Sequence, residues 1–144
     1  MHDSRPNSII LYDGVCGLCN RVVQFVLKRD HDDRFRFASL QSEFAGNILR
    51  RHRVQPGQLD TFYILLDATA ATERLLSKSD AVISLLGNLR SFWRVVGRLI
   101  QLIPRFARNA IYDVVANNRY RIFGRYDSCP LPSERDRAKF LDSA

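Results

Sequence analysis

Apolar positions along this chain follow two rhythms, one with a period of two and one near 3.6. Ser8-Ile9-Ile10-Leu11-Tyr12 is a short β-rich run that ends at Asp13-Gly14, and Phe35 to Leu40 alternates as a strand does. Thr61 to Leu66 is almost continuously apolar, the pattern of a strand buried on both faces, and Thr72 to Ser77 is a short strand able to pair with it. Between the first two runs the period becomes helical. Leu18, Val22, Phe25 and Val26 share one face, Arg21, Lys28 and Arg29 can meet water, and Asp30-His31-Asp32-Asp33 stops the helix. Ser42 caps a predicted helix to Arg53, Pro56-Gly57 breaks the chain, and Ser79-Asp80 caps a helix to about Leu89.

The last third reads as helix followed by a polar tail. Ser91 to Ile103 is amphipathic, with Trp93, Val96, Leu99, Ile100 and Ile103 expected inward, opposite Arg94 and Arg98; Trp93 reads as core. Pro104 ends or kinks it. Arg105 to Asn117 continues as helix, with Phe106, Ala110, Ile111 and Val114 expected inward. From Asn118 the chain is arginine-rich and punctuated by Gly124, Pro130 and Pro132. The order β-α-β-α-β-β-α, then a helical extension, predicts an α/β fold: a small mixed sheet with helices on its faces. No repeat or linker divides it, so residues 8–141 form one expected domain, with 1–7 and 142–144 as flexible ends.

Composition agrees with a globular domain and excludes several classes. The chain has 144 residues, 46% hydrophobic and 26% charged, enough to build a core without disulfides. Three cysteines rule out a disulfide-dense secreted scaffold. No apolar run approaches the roughly 20 residues that span a bilayer, and no apolar signal core follows Met1-His2-Asp3-Ser4-Arg5-Pro6. The expectation is a soluble, cytoplasmic protein.

The net charge of +7 is uneven: Arg90 to Arg125 holds eight arginines and one acid, Asp113, and the remainder cancels. Such a surface attracts nucleic acid, anionic lipid or an acidic protein. A basic-helix binding module is therefore the alternative reading of function. No nucleic-acid motif accompanies the charge, and a solvated helix face is the simpler account, so neither nucleic acid nor a membrane surface is an expected partner.

The strongest chemical signal is Cys16-x-x-Cys19 between a strand and a helix. Cys16 would stand at the helix N-terminus, where unpaired N–H groups and the helix dipole favour a thiolate, the attacking species. Cys19, one turn further in, would resolve a mixed disulfide. A structural metal site wants four ligands, and only Cys129, His2, His31 and His52 remain, at unrelated spacings. No metal is expected, although a site built from Cys16, Cys19 and Cys129 is the metal-binding rival. A cytosolic Cys-x-x-Cys beside a strand–helix unit reads as thioredoxin-like.

Tyr12-Asp13-Gly14-Val15-Cys16-Gly17-Leu18-Cys19-Asn20 closely resembles the signature of the DCC family of predicted thiol-disulfide oxidoreductases. Phe37 to Ser42, Ser79-Asp80-Ala81, Ile103-Pro104-Arg105, Tyr112-Asp113, Asn118 to Gly124 and Cys129 to Pro132 resemble its later blocks, covering about residues 8 to 141. The resemblance implies a thioredoxin-like fold and dithiol–disulfide exchange, with a disulfide-bearing protein or small thiol as substrate. Electrons would come from an unidentified reductase or from glutathione, with no other cofactor. The chain departs from thioredoxins where they place a cis-proline before the strand facing the dithiol: here Leu59-Asp60 precede Thr61.

Other candidates carry two readings each. Asp13 either takes the Cys19 proton or hydrogen-bonds the turn before the helix. Ser77-Lys78-Ser79-Asp80 resembles the helix start with which glutaredoxins hold a glutathione carboxylate, making Ser79 and Asp80 candidate substrate contacts, and it is equally a helix cap. Arg119, Arg121 and Arg125, with Tyr120 and Tyr126, either fold back over the dithiol or stay solvated. Cys129 is a third redox thiol or a structural one.

Overall fold

The computed structural model describes residues 8–30, 34–54, 62–66, 73–89, 92–124 and 139–140. The expected flexible ends at 1–7 and 142–144 lie outside them, as do the Pro56-Gly57 break and the segment before Thr61. Among these residues four strands form one sheet: β1 (Ser8–Tyr12), β2 (Phe35–Ser39), β3 (Tyr63–Leu66) and β4 (Arg74–Ser77), in the order β2-β1-β3-β4. β2 runs parallel to β1, Ile10 opposite Phe37; β3 is antiparallel to β1, Ile10 opposite Ile64; and β4 is antiparallel to β3. The helix α1 (Gly17–Arg29) makes the crossover from β1 to β2, and α2 (Glu43–Arg51) follows β2. After β4 come α3 (Lys78–Gly87), α4 (Phe92–Gln101), α5 (Arg105–Asn117) and α6 (Arg119–Phe123). This is the expected α/β mixed sheet, with the strand order and directions of a thioredoxin-like core.

The period-two pattern of β1 builds both halves of the core. Ile10 and Tyr12 point to one face with Phe35, Phe37 and Ile64, where Val23 and Val26 of α1 and Ala81, Leu85 and Leu86 of α3 cover them. Ile9 and Leu11 point to the other with Ala38 and Leu65, where Ala45, Ile48 and Leu49 of α2 cover them. β1 is buried along its whole length because it is central and both faces are roofed. Ser42 caps α2 as expected, accepting the Ala45 N–H at 3.2 Å. Asp30 closes α1 and its two carboxylate oxygens accept the Arg34 and Phe35 N–H groups at 2.9 and 3.0 Å, which sets the entry into β2. Trp93 packs edge-on against Phe25 at 4.8 Å, joining α4 to α1.

Three local expectations are corrected. Ser79 and Asp80 do not cap α3: the helix begins at Lys78, with Ser77 as the cap residue. Lys78 holds a φ of 54° and gives its N–H to Phe62 O at 3.2 Å, so the turn from β4 into α3 is fixed by that tertiary bond. The stretch from Asn118 is not only a polar tail, since Arg119–Phe123 forms α6. The third concerns which side of the C-terminal helices faces inward. Trp93, Val96 and Ile100 of α4 pack on the core, but Leu99 is 59% exposed. Phe106, Ile111 and Val114 of α5 are 80%, 59% and 63% exposed, and no α5 residue is buried. Polar contacts turned this helix over. Tyr112 Oη accepts the Phe62 N–H at 2.8 Å, Asn109 accepts from Ser79 Oγ, and Arg108 reaches Asp80 at 3.5 Å.

Candidate active site

The site forms where β1 ends and α1 begins. The Asp13 carbonyl accepts the Cys16 N–H at 3.1 Å, which closes a turn and delivers Cys16 to the N-cap of α1 in extended geometry. There Cys16 Sγ accepts the backbone N–H of Cys19 at 3.4 Å, the capping bond that serine or aspartate makes elsewhere. Asn20 steadies the turn, its Nδ2 donating to the carbonyls of Gly14 and Cys16, each at 2.9 Å. Both cysteines are free thiols. Cys16 has no exposed surface, while Cys19 is half-buried.

Their environments drive their acidities apart. The Cys19 thiol donates to Cys16 and is the largest influence holding Cys16 in its charged form; burial opposes it. The Cys19 and Leu18 N–H groups and the Arg119 charge add to the first effect, and the Cys16 thiol falls from 9.0 to about 6. Cys19 moves up, because ionising it would break its bond to Cys16, in a buried place and beside a second negative sulfur. At neutral pH this is a thiolate paired with a thiol.

Behind the dithiol lies a buried polar knot centred on Asp13. Its carboxylate accepts from Gln41 Nε2 at 2.7 Å, the Val15 N–H at 3.2 Å, Arg119 Nη2 at 3.2 Å and the Tyr120 hydroxyl. Gln41 Oε1 in turn accepts the Gly14 N–H at 3.0 Å. Burial pushes the Asp13 carboxyl up, but these donors outweigh it and hold it below its usual value. Asp13 is thus an ionised anchor for the turn and a weak base. Arg119, 8% exposed, also donates from Nη1 to the Ala116 carbonyl at 2.6 Å, while its Nε is buried without a partner among the described residues.

Arg119 and Tyr120 of the C-terminal block reach Asp13, in the turn before Cys16, whereas Arg121 is exposed. The Gly17 N–H donates to the Gly124 carbonyl at 3.0 Å, seating the end of α6 on the start of α1. That approach requires glycine at position 17, since an ideal Cβ there would lie 2.1 Å from the Phe123 carbonyl oxygen. Ser79 donates to Asn109, and Asp80 pairs with Arg105 at 2.6 Å and Arg108 at 3.5 Å, tying α3 to α5. Cys129, Arg125 and Tyr126 lie outside the described residues. Among the described residues no group of three His, Cys, Asp or Glu side chains could hold a metal ion.

Cys19 lies in the wall of an almost wholly apolar cavity of about 520 Å³ between α1, α3 and α5, lined also by Leu18, Val22, Phe25, Val82 and Val115. That is ligand-pocket size, well above an ordinary packing void. Sequence reasoning missed Gln41, Tyr112 and the reason for Gly17. Only a three-dimensional contact reveals each, since Gln41 lies 28 residues from Asp13.

A helix-capping cysteine with a second thiol one turn on stands at the first strand–helix junction of a thioredoxin-like sheet. The chain belongs to the DCC1-like thiol-disulfide oxidoreductase family, whose model matches residues 10–125. It is 38% identical over 136 residues to an uncharacterized protein, YuxK, of Bacillus subtilis strain 168, covering 94% of this chain and 95% of that one. It is 37% identical over 129 residues to a chloroplastic DCC family protein of Arabidopsis thaliana, covering 90% of this chain and 71% of that one. No solved structure matches it.

Proposed function

We propose that the protein exchanges thiols and disulfides through Cys16 and Cys19. The observation that carries this reading is the pairing itself: Cys16 Sγ at the N-cap of α1, accepting the Cys19 N–H at 3.4 Å, with its pKa lowered to about 6. The Cys16 thiolate attacks one sulfur of a substrate disulfide, forming a mixed disulfide and releasing the other sulfur as a thiolate. Cys19 then gives its proton to the released substrate thiolate and attacks Cys16 Sγ. A Cys16–Cys19 disulfide forms, and the second substrate thiol leaves with two electrons now on the substrate. Return to the dithiol draws two electrons from an external donor, glutathione or a dithiol reductase. Asp13 acts as a positioning residue: it holds Arg119 beside the dithiol rather than accepting the Cys19 proton.

Thiol titration across graded glutathione redox buffers, on wild type, Cys16→Ser and Cys19→Ser, tests the reading. A reversible two-electron transition lost in both variants is expected. Failure of the wild type to form a Cys16–Cys19 disulfide at any poise would overturn it.

A further inference from the structure

The C-terminal helices carry an unspent surface. Phe92, Leu99, Leu102, Phe106, Ile111 and Val114 are each at least 59% exposed, and Gln101 through Phe106 stand out as one exposed turn around Pro104. Single exposed apolar residues are ordinary on a monomer, but a contiguous apolar band marks an interaction site. The band is bordered by positive charge. On α4, Phe92 and Leu99 follow one edge of the outward side, and Arg94 and Arg98 follow the other. Arg121 is exposed on α6, whereas Arg105 on α5 is paired with Asp80 at 2.6 Å. Asp113 is the one acid between positions 92 and 124, and Lys78 pairs with it at 3.0 Å.

We propose that this α4–α5 face docks on the surface of a membrane bearing anionic lipids. Apolar side chains that project from a turn can enter the headgroup–acyl boundary while arginines at their edges pair with lipid phosphates. At 10 and 13 residues, α4 and α5 are too short to cross a bilayer, so they lie on it. A nucleic acid would leave Leu102 and Phe106 without an apolar partner. An anionic lipid surface satisfies both kinds of side chain at once. The proposal does not rest on the dithiol chemistry.

Co-sedimentation with phosphatidylcholine vesicles, with and without phosphatidylglycerol, tests it. The wild type should bind the anionic vesicles and not the neutral ones, and less so as salt rises. Leu102→Asp/Phe106→Asp should weaken binding about tenfold or more, and Arg94→Gln/Arg98→Gln about tenfold at low salt. Every altered side chain is exposed, and the circular dichroism spectrum and thiol titration of each variant check its fold. Cys16→Ser should bind as the wild type does. Absence of binding, equal binding to neutral vesicles, or a wild-type dimer in solution that Leu102→Asp/Phe106→Asp dissociates would each overturn the proposal.

Discussion

Replacing Gly17 by alanine adds one methyl group at the most crowded point of the site. Its Cβ would sit 2.1 Å from the Phe123 carbonyl oxygen, 3.0 Å from the carbonyl carbon and 3.1 Å from the Gly124 oxygen. These are backbone atoms, which cannot rotate away as a side chain does, so α6 and Gly124 must back off. Overpacking of this kind costs roughly 1–3 kcal/mol, and loss of the Gly17–Gly124 hydrogen bond adds about 1 kcal/mol. Alanine returns at most about 1 kcal/mol through its better helix propensity. The net expectation is a loss of about 1–3 kcal/mol in urea unfolding. Gly46→Ala is the internal control, because its Cβ would meet only the flexible end of Arg50 at 3.7 Å. There the propensity gain of about 1 kcal/mol should appear undiminished. Displacing α6 also uncovers Cys16, which has no exposed surface, so its limiting alkylation rate at high pH should rise. If Gly17→Ala is as stable as Gly46→Ala, the close seating of α6 on α1 is wrong, and with it the placement of Arg119 beside the dithiol.

Alkylation of Cys16 by iodoacetamide should rise with pH through a midpoint near 6, and a midpoint above 8 would refute the capping account. Because folding lowers this pKa, the thiolate's stabilisation is complete above the unfolded thiol's value and is lost as pH falls through about 6. The melting-temperature difference between wild type and Cys16→Ser should therefore shrink from pH 8 to pH 5. Arg119→Leu leaves the Asp13 carboxylate buried without its charged donor and should destabilise by about 3–5 kcal/mol. Where the variant folds, the Cys16 midpoint should move up, and an unchanged midpoint would remove Arg119 from the site. Ala116→Leu projects into the apolar cavity beside Cys19 and should raise the free energy of unfolding by about 0.5–2 kcal/mol, whereas a loss would mean that the wall is packed more tightly than its volume indicates.

Hydropathy pattern and local chemistry alone determined much of this molecule. The β-rich run of β1, the alternation in β2, the apolar run of β3, the Ser42 cap and the Asp30 stop are each decided within a few residues of chain, and they landed where the pattern placed them. The place of the cysteine pair was equally legible, because a strand end followed by a helical period puts Cys16 at the helix N-terminus. Tertiary structure decided what local pattern cannot express. An amphipathic helix has two sides, and periodicity does not say which one meets the protein. On α5, hydrogen bonds to Phe62, Ser79 and Asp80 turned Asn109 and Tyr112 inward and left Phe106 and Val114 outside. The surroundings of Cys16 were likewise hidden, since Asp13, Gln41 and Arg119 are up to 106 residues apart and meet only through the fold. Acidity depends on distance in space, and position along the chain does not carry it.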